Sequence, residues 1–298
     1  MTAPCLPFSL PAHAKFNLCL DVLGRRPDGL HSISSLIAQL ELADAVDFEA
    51  SRSAFEVSCP GADIAQTDNL VWRAGLALGV PLPRVHLRIH KRIPLQAGLG
   101  GGSADAAAAL RGLALLLGRQ GTPLPQGRIA EASSLIGADV SACLVPGLKV
   151  VEGAGETVRG LASCAPPWGV LLLKPRSGVS TAQAYSLLDK TRTIGSASRE
   201  RPASAVKALC EAYLTADFGT LCRRLSNDFH AVVTSHHTDV ARAADALLSV
   251  GARRALLCGS GSCVAGMFPS VADARRASAR LDLAPGEWSA VTQFVHAQ

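Results

Sequence analysis

Three groups of residues in this chain have the types and spacing to do chemistry. The densest is Gly98-Leu99-Gly100-Gly101-Gly102-Ser103. Glycines, lacking a Cβ, let backbone N–H groups converge on an anion. The alanine- and leucine-rich run that follows reads as a helix, whose start adds unpaired donors and the positive end of a dipole. The combination suits a phosphate group. A tight strand-to-helix turn without ligand is the other reading, although each glycine costs backbone entropy. The second group is Lys15 and Asn17, which alternate with Phe16 and Leu18. On a strand they share one face about 7 Å apart, close enough to serve one ligand. A solvated edge strand gives the same pattern. The third is Asp139 in Gly137-Ala138-Asp139-Val140, a carboxylate able to accept a proton from an alcohol or simply to cap a turn.

The elements that must position these groups follow from periodicity. Phe16, Leu18, Leu20 and Val22 predict a strand. The turn Gly24-Arg25-Arg26-Pro27-Asp28-Gly29 then leads to His31 at the start of an extended run. Taken alone, His31 reads as an ordinary satisfied polar residue. Extended stretches are expected near Ala45–Ala50 and Phe55–Ser58, and Asp68 as N-cap of a helix Asn69–Leu78. Val85, Leu87 and Ile89, between Arg84, His86, Arg88 and His90, predict a half-buried strand with one basic face leading to the glycine loop. Helices are expected at Ser103–Gly118 and Arg128–Ile136, and a hairpin over Lys149–Val158. Ser103 is a candidate helix N-cap as well as a ligand to phosphate or metal. Asp105 reads as a complement to the helix dipole. Beyond a boundary near residue 160, a strand at Val170–Lys174, helices near Thr181–Asp189, Ala203–Tyr213, Leu221–Ser226, Val240–Leu248 and Val271–Leu281, and a last strand Trp288–Val295 predict a small α+β sandwich.

Composition narrows the class. The 298 residues are 48% hydrophobic and 18% charged, enough for a full core. The net charge of +5 is dispersed, which favours small anionic ligands over nucleic acid. The nine cysteines, Cys164 among them, are odd in number and contain no C-x-x-C pair, so neither a disulfide framework nor a zinc site is expected. No signal peptide and no run of about 20 apolar residues is visible, so a soluble cytoplasmic protein is expected, its oligomeric state (monomer or weak homodimer) left open.

Two phosphate loops are excluded. A Walker A motif needs Gly-Lys before its Ser or Thr, and no Lys precedes Ser103. A dinucleotide fingerprint needs a third glycine where Ser103 stands. The stretch instead resembles the second motif of the GHMP kinases, P-x-x-x-G-L-G-[GS]-[GS]-S-[AS]-x-A-A, matched by Pro94, Gly98, Leu99, Gly100, Gly101, Gly102, Ser103, Ala104, Ala106 and Ala107. Ala14-Lys15-Phe16-Asn17-Leu18 is similar to the N-terminal motif of that superfamily, and Cys258-Gly259-Ser260-Gly261-Ser262-Cys263 to its C-terminal glycine motif. Arg26-Pro27-Asp28-Gly29-Leu30-His31, Gly137–Val140, Gly153-Ala154-Gly155-Glu156 and Asn227-Asp228 are most similar to the branch acting on a cytidine-diphosphate-linked alcohol.

The resemblance implies an α+β, two-domain GHMP kinase fold. Residues 1–160 would form a half like domain 2 of ribosomal protein S5, and residues 161–298 a ferredoxin-like α/β sandwich. It implies ATP and Mg²⁺, with Lys15 and Asp139 as the catalytic pair. Pro94, Leu95, Gln96, Ala97, Gly98, Leu99, Gly100, Gly101, Gly102, Ser103 and Ala104 would form the ATP loop, with Asn69 and Lys91 flanking the adenine. Asn17, Leu30, His31, Thr181 and Tyr185 would meet the cytidine substrate, His31 on the cytosine and Tyr185 stacked on it. Leu30 stands where the family usually carries Tyr, and Ser141-Ala142-Cys143 where it carries Pro and aromatic residues. Another GHMP kinase acting on mevalonate, homoserine or a sugar, or a catalytically silent nucleotide-binding relative, is the alternative. Neither a membrane nor a nucleic acid is expected as partner.

Overall fold

The computed structural model describes residues 5–52, 54–62, 64–161, 165–192 and 203–295; Cys164 lies outside them. The chain forms two compact units. One comprises Met1–Ala14, Leu42–Ile93 and Gly100–Val145; the other comprises Lys15–Glu41, Pro94–Leu99 and Pro146–Gln298. The long strands β1 (Phe8–Arg25) and β2 (His31–Ala50) contribute to both.

The first unit adds β3 (Glu56–Ser58), α1 (Leu70–Ala77), β4 (Val85–His90), α2 (Gly101–Arg119), α3 (Arg128–Ile136) and α4 (Ala138–Leu144). β3 runs parallel to β4, and β4 pairs antiparallel with the end of β2, with Val46 opposite Ile89 and Phe48 opposite Leu87. The alternating apolar residues predicted for β4 point inward; Val85, Leu87 and Ile89 are buried. Strong helix formers fill α2, and Ala104, Ala106, Ala107, Ala108 and Ala109 are all buried in this core. Phe48 stacks on Phe8 with ring centroids 4.5 Å apart. Gly112 makes room for it, since a Cβ there would come within 2.0 Å of the Phe48 ring.

The second unit adds β5 (Leu148–Gly153), β6 (Thr157–Leu161), β7 (Gly169–Lys174), α5 (Thr181–Thr191), α6 (Ala203–Leu214), α7 (Phe218–Arg224), β8 (Ser226–Asn227), α8 (Asp228–His236), α9 (Thr238–Ser249), β9 (Arg254–Leu257), β10 (Val264–Phe268), α10 (Val271–Ser278) and β11 (Trp288–Gln293). The start of β2 pairs with β5 and β5 with β6, all antiparallel, and β8 lies parallel to β1 at Cys19 and Leu20. A second, antiparallel sheet has the order β11-β7-β10-β9. Leu171, Leu173, Phe229, Val233, Leu247 and Leu257 form the core between it and the helices.

Several local expectations are corrected. Asn69, not Asp68, caps α1, its side chain accepting from the Val71 N–H at 2.9 Å. α2 begins at Gly101 behind Gly100, whose φ of 70° is left-handed, so Ser103 lies inside the first turn and is not the N-cap. Asp139 stands in the first turn of α4, a helix the sequence reading did not delimit. α8 was not anticipated. Its apolar residues Phe229, Val232 and Val233 are too few for a clear helical period. Among the described residues no helix is long and apolar enough to cross a membrane.

Candidate active site

In the second unit the strand that begins at Lys15 supplies a buried polar chain. Lys15 Nζ donates to Asn17 Oδ1 at 2.9 Å, Asn17 Nδ2 to Ser35 Oγ at 2.9 Å, and Ser35 Oγ to the Cys19 carbonyl at 2.5 Å. Lys15 is 6% exposed and Asn17 2%. Burying polar groups is costly unless they are hydrogen-bonded, and these bonds give both side chains partners. The shared face read from the alternation is therefore a built one and not a solvated edge.

The first half of the glycine loop closes over the same strand. The Lys15 N–H donates to the Leu99 carbonyl at 2.9 Å. The C-terminal glycine motif lines up beside it: the Ser262 and Cys263 N–H groups donate to the carbonyls of Gln96 and Ala97 at 3.1 and 3.2 Å. This close approach requires glycine. Gly98 has φ of 73°, and a Cβ there would fall 1.8 Å from the Cys258 carbonyl oxygen. At Gly259 a Cβ would lie 3.1 Å from Lys15 Nζ. Asn227 Nδ2 holds the motif in place through the carbonyls of Leu257 and Gly259 at 2.8 and 2.7 Å. Burial and the neighbouring Cys263 thiol push the Cys258 thiol well above its usual range, so it serves as an inert packing group.

A cleft of about 800 Å³ in this unit is lined by Arg25, Gly29, Leu30, His31, Thr181, Tyr185, Asp189 and Lys190 among others. His31 stacks on Tyr185 with centroids 4.6 Å apart, and Tyr185 meets Phe229 edge-on at 4.8 Å. His31 Nε2 lies 2.9 Å from Asp189 Oδ1. Thr181 Oγ1 lies 3.1 Å from Ser260 Oγ, which ties the cleft to the C-terminal glycine motif. Leu30 is 56% exposed at the rim. The turn before it is braced by Arg26 Nη1, which donates to Glu156 Oε1 at 2.8 Å.

The first unit holds the rest of the loop, Gly100–Ser103, together with Asn69, Lys91 and Asp139. Lys91 is committed: Nζ donates to Asp105 Oδ2 at 2.8 Å and also to Asp44 Oδ2. Burial lowers the Lys91 ammonium, and the two carboxylates outweigh it, so it ends above its usual range. Burial pushes Asp105 up to about 7, against the pull of Lys91. Asp139 is exposed. The sequence reading missed Asp44 and Asp189 altogether and gave Asp105 only a dipole role. Their partners come from distant elements and leave no local pattern.

Two family models match the chain, the GHMP kinases N terminal domain over residues 69–147 and the GHMP kinases C terminal over residues 205–286. A protein of Moorella thermoacetica named 4-diphosphocytidyl-2-C-methyl-D-erythritol kinase is 37% identical over 92% of this chain and 94% of its own. The chain belongs to that family of GHMP kinases. The protein of the same name from Symbiobacterium thermophilum is 35% identical over 91% of this chain and 93% of its own. A crystal structure of 4-(cytidine 5'-diphospho)-2C-methyl-D-erythritol kinase superposes with a TM-score of 0.74 at 27% identity, over 96% of this chain and 99% of that one. A crystal structure of L. major mevalonate kinase in complex with R-mevalonate, at 16% identity and a TM-score of 0.66, shares the fold over 100% of both chains. As a GHMP kinase the chain is an ATP-dependent small-molecule phosphotransferase.

Proposed function

We propose that this GHMP kinase phosphorylates the 2-hydroxyl of 4-diphosphocytidyl-2-C-methyl-D-erythritol, in the cytoplasm, as a step of the non-mevalonate route to isoprenoids. The observation that carries the reading is the His31–Tyr185 stack in a cleft tied through Thr181 and Ser260 to the glycine motif beside Lys15. A planar aromatic pair with a polar ring edge suits a nucleobase, and kinases of mevalonate or homoserine have no base to receive.

Asp139 is the general base. It takes the proton of the 2-hydroxyl as that oxygen bonds to the γ-phosphorus; the bond from the γ-phosphorus to the bridging oxygen breaks and ADP leaves. Lys15, hydrogen-bonded to Asn17, offsets charge on the transferring group. Backbone N–H groups of Gly98–Ser103 cradle the phosphates, with Pro94–Ala97 and Ala104 framing them, and Asn69 and Lys91 border the adenine. Asn17 orients Lys15, while Leu30, His31, Thr181 and Tyr185 receive the cytidine end.

Mg²⁺ fits this donor set in one way. Among the described residues no three His, Cys, Asp or Glu side chains gather to hold a metal. An ion carried mainly by phosphate oxygens and water, with the Ser103 hydroxyl as one protein ligand, suits the preference of Mg²⁺ for few protein ligands. When bound it neutralises phosphate charge. The matched family segments, 69–147 and 205–286, fall on either side of the domain boundary proposed near residue 160.

A substrate panel read by ADP release tests the reading. Release that depends on the cytidine compound supports it; equal release with mevalonate or homoserine, and indifference to the cytidine compound, overturns it.

A further inference from the structure

Asp44 and Asp105 join Lys91 in a buried three-residue strut, and the reaction above gives neither carboxylate a role. Asp44, on β2, is 1% exposed, and Asp105, on α2, is 3% exposed. Asp44 Oδ1 accepts the N–H groups of Arg92 and Ile93 at 2.5 and 2.8 Å, the two residues before Pro94. Its other oxygen accepts from Lys91 Nζ, which also donates to Asp105 Oδ2 at 2.8 Å. Asp105 lies four residues beyond Gly101, and a Cβ on Gly101 would stand 3.1 Å from Lys91 Nζ. One strand residue thus fixes the chain just before the glycine loop, and through one ammonium it fixes the first turns of the helix just after it.

We propose that Asp44 and Asp105 are positioning residues for ATP, acting through Lys91 to set the spacing between the two points from which the phosphate loop is strung. The proposal rests on reading Gly98–Ser103 as the ATP loop. Burying two carboxylates and an ammonium is expensive, and apolar side chains of similar volume commonly stabilise such a site as well or better. What apolar packing does not supply is directional bonds to two successive backbone N–H groups and to a helix start. Backbone donors aimed at phosphate lose effect when displaced by fractions of an ångström. The titratable groups that face Lys91 and Asp105 here are Asp44, from β2, and Cys59, from the loop after β3. The strut therefore holds one cation against two acids.

The test is ATP affinity by calorimetry without second substrate, together with steady-state kinetics. Asp105→Ala should weaken ATP binding by about tenfold, the loss of one hydrogen bond to a charged group. The rise should fall on KM for ATP, with a smaller change in turnover at saturating ATP and in KM for the cytidine compound. Asp105→Asn, whose amide oxygen still accepts from Lys91, should recover affinity to within about threefold of wild type. If Asp105→Ala does not fold, Asp44→Asn carries the same test, since its NH₂ would oppose either Lys91 or the backbone donors. Wild type without ATP affinity overturns the loop reading itself. Wild type that binds ATP beside an Asp105→Ala that binds it equally, or a loss confined to kcat, overturns the strut alone.

Discussion

His31 lies flat on Tyr185, with ring centroids 4.6 Å apart and planes inclined by 23°, while its Nε2 lies 2.9 Å from Asp189 Oδ1. A carboxylate only accepts, so Nε2 carries a proton, and in the neutral ring Nδ1 is left as an acceptor. An acceptor matches the 4-amino group of cytosine and repels the 4-oxo group of uracil. Asp189→Ala should therefore raise KM for the cytidine substrate more than for its uridine analogue. Equal losses for both would show that Asp189 does not set the preference.

The same cleft yields a pair of opposed substitutions. Tyr185→Ala removes a stacking partner worth about 0.5–1.5 kcal/mol beyond its buried area, so KM for the cytidine compound should rise by about tenfold. Leu30→Tyr, at the exposed rim, should lower it by about threefold by covering the other face. An unchanged KM in Leu30→Tyr removes Leu30 from the substrate's surroundings.

Gly98→Ala combines a left-handed φ of 73° with a Cβ 1.8 Å from the Cys258 carbonyl. Neither the loop nor the glycine motif can yield to it without breaking the bonds from Ser262 and Cys263. The melting temperature should fall, and ATP affinity should be lost even where folded protein is recovered. Gly112→Ala, against the Phe48 ring at 2.0 Å, should cost about 1–3 kcal/mol of overpacking while leaving ATP affinity of the folded fraction intact. A Gly98→Ala protein that melts and binds as wild type would contradict the close approach.

Asp105 gives a pH prediction. Its pKa rises from 3.8 to about 7 on folding, through burial. The folded state thus holds a proton that the unfolded chain has lost. This favours folding least above pH 7 and adds a destabilising slope as pH rises through the interval between the two values. Asp105→Asn lacks that slope. Denaturant midpoints at pH 5 and pH 8 should show Asn gaining on wild type at the higher pH; a constant difference would contradict the buried acid.

The loop, the Lys15 strand and the basic strand before the loop were legible because each is written in adjacent or alternating residues. Gly98–Ser103 and Phe16–Val22 carry their local structure in their own composition. Asp105 was misread because it shares its partner Lys91 with Asp44, which lies 61 residues before it, and no local pattern joins a β2 carboxylate to an α2 one. The Asp189 bond to His31 spans 158 residues and was invisible for the same reason. The cap of α1 moved from Asp68 to Asn69 because two adjacent residues of equal capping propensity compete. The sequence cannot rank them, whereas the backbone turn does.

The central claim is that Asp139 deprotonates the cytidine substrate beside an ATP loop that works without it. ADP release with 4-diphosphocytidyl-2-C-methyl-D-erythritol, measured for wild type and Asp139→Asn alongside ATP affinity, tests it most directly. The account predicts substrate-dependent release in wild type, a fall in turnover of at least about a hundredfold in the variant, and ATP binding within about twofold of wild type in both. Wild-type turnover in Asp139→Asn would contradict it.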